Sequence, residues 1–228
     1  MDRLDAAGGS EAESSVSLTF DREMSASEVE RIKRSLGART ALQVPTAVSA
    51  AYGRARRVGF AKSSRPEVGA LMAVLAAAVP AGGRILELGT GAGVGLAWVA
   101  HGLRSRSDVE VVSVEVDRNM SELVSSAGWP DWVSLVVGDA REVIPTLGTF
   151  DLAFLDIPGE LKASVLDDAI TALRPGGQLL IDDMNPYWRK FRKPVDGCDP
   201  EQLLEDPRVV CALLQYSSGM ILVSRLRD

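Results

Sequence analysis

The segment Arg84-Ile-Leu-Glu-Leu-Gly-Thr-Gly-Ala-Gly-Val-Gly95 constrains this chain more than any other. A short apolar strand (84–88) meets glycines at 89, 91, 93 and 95, and an apolar helix (93–103) follows. Glycine lets a backbone turn tightly and lets a ligand come close. The helix start behind it offers unpaired N–H groups to an anion such as a carboxylate. The spacing is not that of a dinucleotide fingerprint: counted from Gly89 and Gly91, its third glycine falls on Val94. Glu87, just before the turn, is also an awkward neighbour for a pyrophosphate.

Beyond this turn, strands and helices alternate. Strands are expected at 84–88, 109–115, 133–137, 150–156 and 177–182, with helices near 119–126, 141–147 and 161–173 between them. Such alternation implies a parallel sheet with helices on both faces, a Rossmann-like doubly wound α/β fold. The segments 208–216 and 220–226, joined by Ser217-Ser218-Gly219, read instead as an antiparallel hairpin. Upstream, residues 1–24 are rich in Ser, Ala, Gly and acids and read as a disordered tail. Residues 25–65 read as a helical segment, with Ser25 and Glu28 as a capping box for a helix to Leu36 and a second helix at 47–57. Pro66 and Glu67 suit the first turn of a helix to Val79, which opens the main domain at 66–228.

The longest apolar run, 70–80, is too short to span a bilayer, so no membrane association is expected. The polar, acidic start is unlike a targeting peptide, and Cys198 and Cys211 have no metal-like spacing. A reduced, cytoplasmic protein is the expectation. The net charge of −6 argues against a general nucleic-acid binder. Nine basic and no acidic residues lie between Arg31 and Arg65; they read as solvated helix faces, with a basic rim for an anionic acceptor as the alternative.

Ligands of open α/β sheets bind outside the carboxyl ends of the strands. Four such ends carry an acid here: Glu87, Glu115, Asp139 and Asp156. Glu115, 22 residues beyond Gly93, suits the two hydroxyls of a ribose. A carboxylate for glycine amides, with an ammonium, a ribose diol and a positive sulfur for acids, describes S-adenosylmethionine. The pattern Glu87-x-Gly89-x-Gly91-x-Gly93 resembles the first motif of class I S-adenosylmethionine-dependent methyltransferases. That resemblance implies the strand order 3-2-1-4-5-7-6 with the hairpin at its end. It implies a donor site of Glu87, Gly89, Thr90, Gly91, Gly93 and Glu115. Gly138-Asp139-Ala140 is similar to the adenine-binding motif, giving Asp139 the amino group and Ala140 the ring, although Asp139 also suits a helix N-cap. Phe150–Asp156 is similar to the motif that puts an acid, Asp156, where methyl group and acceptor meet.

Asp182 and Asp183 end the fifth strand beside Asp156. Carboxylates that converge repel one another unless paired or metal-bound, and Mg²⁺ takes oxygen ligands of this kind. The arrangement resembles the cation-dependent O-methyltransferases of the catechol and caffeoyl-coenzyme-A type, which implies Asp156, Asp182 and Asp183 as metal ligands and O-methylation of a small-molecule hydroxyl. Two positions depart from that pattern. Asp183 stands for an Asn, and Gly159 stands for the Lys near the acceptor hydroxyl; Lys162, three residues on, is the substitute candidate. A metal-independent methyltransferase and a non-catalytic S-adenosylmethionine-binding module stay open as alternatives. Aromatics and cations in 184–193 suit a flat or anionic acceptor, and Lys62, Ser63, Ser64 and Glu67 are candidates for a segment closing over the donor. Family members often dimerise, so a homodimer is expected by resemblance. His101 reads as a packing residue.

Overall fold

The computed structural model describes residues 44–184 and 200–227. The 1–24 tail, the 25–36 helix, the 31–39 part of the basic stretch, residues 185–193 and Cys198 lie outside them. Residues 42–228 form one compact unit. Its helices are α1 (Thr46–Arg57), α2 (Pro66–Ala78), α3 (Val94–Gly102), α4 (Arg118–Ser125), α5 (Ala140–Val143), α6 (Gly159–Thr171) and α7 (Pro200–Glu205). Its strands are β1 (Arg84–Leu88), β2 (Glu110–Glu115), β3 (Val133–Val137), β4 (Phe150–Leu155), β5 (Leu173–Ile181), β6 (Val209–Leu214) and β7 (Met220–Arg225).

The strands form one sheet in the expected order, β3-β2-β1-β4-β5-β7-β6. The first five are parallel, and the β6–β7 hairpin joins β5 through the antiparallel strand β7. Apolar residues on both faces of the central strands put a core on each side of the sheet. Leu86, Leu88, Ala153 and Leu155 pack on one face; Ile85, Val111, Leu152 and Phe154 pack on the other. Removing a ring as buried as that of Phe154 costs about 3–5 kcal/mol. The exception in β1 is Glu87, which is buried and stands in register with Ser113 of β2.

Three local differences from the sequence expectations have physical reasons. Strand β5 begins at Leu173 rather than Gly177, because Leu173 pairs with Phe150 and a register shift absorbs Pro175-Gly176-Gly177. Helix α7 forms where a short, acidic sequence carries no helix signal of its own. The domain boundary expected at residue 66 is corrected as well. Val48 and Ala51 of α1 share a core with Ala73 of α2 and Val94, Ala97 and Trp98 of α3, so α1 belongs to the same unit. No described helix is long and apolar enough to cross a membrane.

Candidate active site

A hollow of about 690 Å³ opens at the carboxyl ends of β1, β2, β4 and β5 and beside the turn after β3. That volume suits a nucleoside-sized ligand with room for an acceptor. Its floor is the glycine turn. Backbone N–H groups of Gly89 and Thr90 donate to the Val114 carbonyl, at 3.0 and 3.2 Å, and tie the turn to β2. Gly89 has φ +97°, and a Cβ there would overlap the Asp156 carbonyl oxygen. Gly91 has φ +50°, and a Cβ would lie 2.8 Å from the Phe60 ring, which covers the turn. The segment 60–65 forms the rim above it.

On the β2–β3 side stand Glu115, Asp139 and Ala140. Glu115 accepts from the Gly91 N–H at 2.7 Å and from the Asp117 N–H at 2.9 Å, bracing the turn with the carboxylate that faces the hollow. Asp117 itself caps α4 through the Asn119 N–H. Asp139 caps α5 through the Arg141 N–H at 2.9 Å and pairs with the Arg141 guanidinium. That guanidinium first, and the backbone bond second, hold its carboxyl down to about 2.

On the β4–β5 side stand Asp156, Lys162, Asp182 and Asp183. The Ser64 hydroxyl donates to Asp156 at 2.9 Å, and Tyr52 of α1 donates to the Ser64 carbonyl at 2.7 Å. Burial, with the neighbouring Asp182 second, pushes the Asp156 carboxyl up to about 7, against the opposing effects of Ser64 and Lys162. Asp182 is buried, and burial raises its carboxyl too. One of its carboxyl oxygens accepts from the Ser218 hydroxyl and the Asp183 N–H. Lys162, on the first turn of α6, is only 2% exposed, and its ammonium donates to the Asp182 carbonyl at 2.5 Å.

Two expected donor-site residues are not on the walls. Glu87 lies beneath the turn, where its register opposite Ser113 lets that hydroxyl donate to it at 2.5 Å, and Ser113 in turn bonds Thr90 at 2.6 Å. Gly95 leaves the space that the Glu87 carboxyl fills. Burial is the main cause that pushes Glu87 up to about 8, with Asp156 and Glu115 adding to it and Ser113 opposing. Gly93, with φ +76°, caps α3 and faces Arg54 and Val124 rather than the hollow. Glu87 and Gly93 therefore shape the turn from below. Glu67 is likewise off the walls, and His101 packs its edge on Trp98, with ring centres 6.1 Å apart.

The expected Mg²⁺ site is not shown. Among the described residues no group of three His, Cys, Asp or Glu side chains is arranged to hold a metal ion. Asp183 is exposed and leaves the strand with φ +55°; Asp182 spends one oxygen on Ser218 and Asp183; and the Lys162 ammonium sits on the Asp182 carbonyl. That donor set does not fit a divalent ion. The signals that sequence reading missed are hydroxyls: Tyr52, Ser113 and Ser218 carry no motif and reach the site only through the fold. Arg54, in a stretch whose charges suggest solvated faces, is instead buried where α1 meets the turn and donates to the Ala92 carbonyl at 3.2 Å.

The profile of a methyltransferase domain matches residues 86–184. A relative from Mycobacteroides abscessus assigned to the O-methyltransferases is 34% identical over 190 residues, covering 78% of this chain and 87% of the relative. A catechol O-methyltransferase from Mycobacterium tuberculosis is 34% identical over 122 residues, covering 51% of this chain and 54% of that protein. In fold, the chain is similar to the O-methyltransferase TomG of Streptomyces achromogenes, solved with S-adenosylmethionine. The TM-score is 0.72 at 23% identity, covering 90% of this chain and all of that one.

Proposed function

The chain belongs to the S-adenosylmethionine-dependent O-methyltransferase family, and we propose from this that it methylates a hydroxyl of a small-molecule acceptor in the cytoplasm. The observation that carries the proposal is the convergence of the glycine turn, Glu115, Asp139 and Asp156 on one hollow of about 690 Å³. The net charge of −6 favours a small acceptor over a nucleic acid.

The residues present suit the donor chemically. Glu115 would take the ribose hydroxyls, Ala140 and Asp139 the adenine, and Gly89, Thr90 and Gly91 the amino-acid end. S-adenosylmethionine supplies, when bound, a methyl group activated by its positive sulfur. The protein then aligns the acceptor, which can contribute about 7–11 kcal/mol to lowering the barrier. Asp156 is the carboxylate placed to receive the acceptor's proton. Phe60 and the 61–65 rim limit water above the turn. No step needs a divalent ion.

Calorimetric titration of the full chain with S-adenosylmethionine and its demethylated product, followed by product-release assays over a panel of phenols and catechols, tests this. Binding of both and release with at least one hydroxyl acceptor are expected. Binding of neither would end the methyltransferase proposal; binding with no release on any hydroxyl would favour the binding-module alternative.

A further inference from the structure

The acceptor end holds a cation that belongs to the chain itself. Lys162 is buried, yet of its three N–H donors only one has a partner among the described residues, the Asp182 carbonyl. Burying an ammonium with unfilled donors is costly unless charge nearby compensates it. Compensation comes from Asp156 and Asp182, whose carboxyls both feel the Lys162 charge across the same corner of the hollow. Lys162 stands in the first turn of α6, whose N-cap is Pro158. Asp183, by contrast, is exposed at the edge of the hollow.

We propose, resting on the methyltransferase function above, that Lys162 is the resident cation of the acceptor site and takes the place a divalent ion would fill, holding the acceptor oxygen through its free N–H donors. The consequence for substrate class is direct. A divalent ion favours an acceptor that offers two adjacent oxygens as a chelate, whereas one fixed ammonium asks for a single oxygen. The site therefore takes monohydroxyl acceptors without requiring a vicinal diol.

The test uses the full chain, stripped of metal and saturated with S-adenosylhomocysteine, and follows Mn²⁺ uptake by the loss of its free paramagnetic signal. Wild type is expected to take up no ion at about 1 mM Mn²⁺, a concentration that fills any site of useful affinity. Lys162→Met, which leaves Asp156 and Asp182 uncompensated, is expected to take up a single ion. Lys162→Arg keeps the charge and is expected to behave as wild type. Stoichiometric uptake by wild type that Asp182→Asn abolishes would overturn the proposal, as would a folded Lys162→Met that takes up none. Should Lys162→Met fail to fold, the wild-type and Lys162→Arg titrations decide alone. Calorimetry with S-adenosylhomocysteine on the same samples keeps the two proposals apart: failure to bind it removes the methyltransferase function and leaves the ion measurement standing.

Discussion

At the β2–β3 end of the hollow, Glu115 and Asp139 meet solvent and are held by local donors: backbone N–H groups for both and the Arg141 guanidinium for Asp139. At the β4–β5 end, Asp156 and Asp182 are sunk into the sheet, and burial raises both carboxyls. The residue type and the position at a strand end are shared; depth and partners differ. One end is suited to accept hydrogen bonds from a polar nucleoside. The other is suited to exchange or balance charge next to an acceptor. Four substitutions test how far this division holds.

The largest effect is expected where the two ends touch. Gly89 lies against the Asp156 carbonyl with φ +97°. Gly89→Ala adds both an unfavourable backbone conformation and a clash, together costing about 2–4 kcal/mol. Chemical denaturation should show that loss, and calorimetry should show the donor site lost with it. A stable, binding-competent Gly89→Ala protein would mean that the ends are not mechanically joined. Next comes Glu115→Gln. The amide cannot accept from Gly91, Asp117 and a ribose as the carboxylate does, so S-adenosylmethionine should bind more weakly by about 1.5–3 kcal/mol, roughly 10- to 150-fold. Unchanged affinity would assign Glu115 to bracing the turn alone.

The order of these effects mirrors what was legible in the sequence. The glycine run and the acids at the strand ends are local patterns, and the sheet order follows from them once α/β alternation is seen. Glu115, Asp139 and Asp156 therefore reach the hollow as expected. Glu87 has the same local pattern and does not, because register, which no local motif encodes, places it opposite Ser113 inside the sheet. Ser64, Tyr52 and Ser218 act through contacts 12 to 92 residues apart, which only the folded chain brings together. Asp182 and Asp183 are adjacent and both line the hollow, yet the first is buried while the second, at positive φ, is exposed.

Glu87 makes the third test, because it is a buried acid of the deep kind placed beneath the shallow end. Its carboxyl is raised from the ordinary 4.5 to about 8, so the folded protein holds a proton that the unfolded chain releases. That contribution to stability is complete below about pH 4.5, falls as pH rises and is gone above about pH 8. Glu87→Gln keeps an acceptor for Ser113 and removes the titration. Thermal melts from pH 5 to 8 should then show a shallower decline than wild type, with a remainder from Asp156, which is raised in the same direction. Parallel slopes would show that Glu87 is not protonated in the fold.

Arg141→Ala is expected to do least. The N-cap bond runs from the backbone N–H of residue 141 to Asp139, and alanine keeps it. Only the exposed guanidinium pair is lost, and such pairs are screened by water and salt. The melting temperature should move by less than about 2 °C. The Asp139 carboxyl should rise from about 2 toward the ordinary range, because the guanidinium is its main cause of depression, and remain ionised at neutral pH. S-adenosylmethionine affinity should therefore stay within about twofold. A larger drop would make Arg141, and not only Asp139, part of the wall that holds the nucleoside. The shallow end would then depend on a fixed side-chain cation just as the deep end does on Lys162.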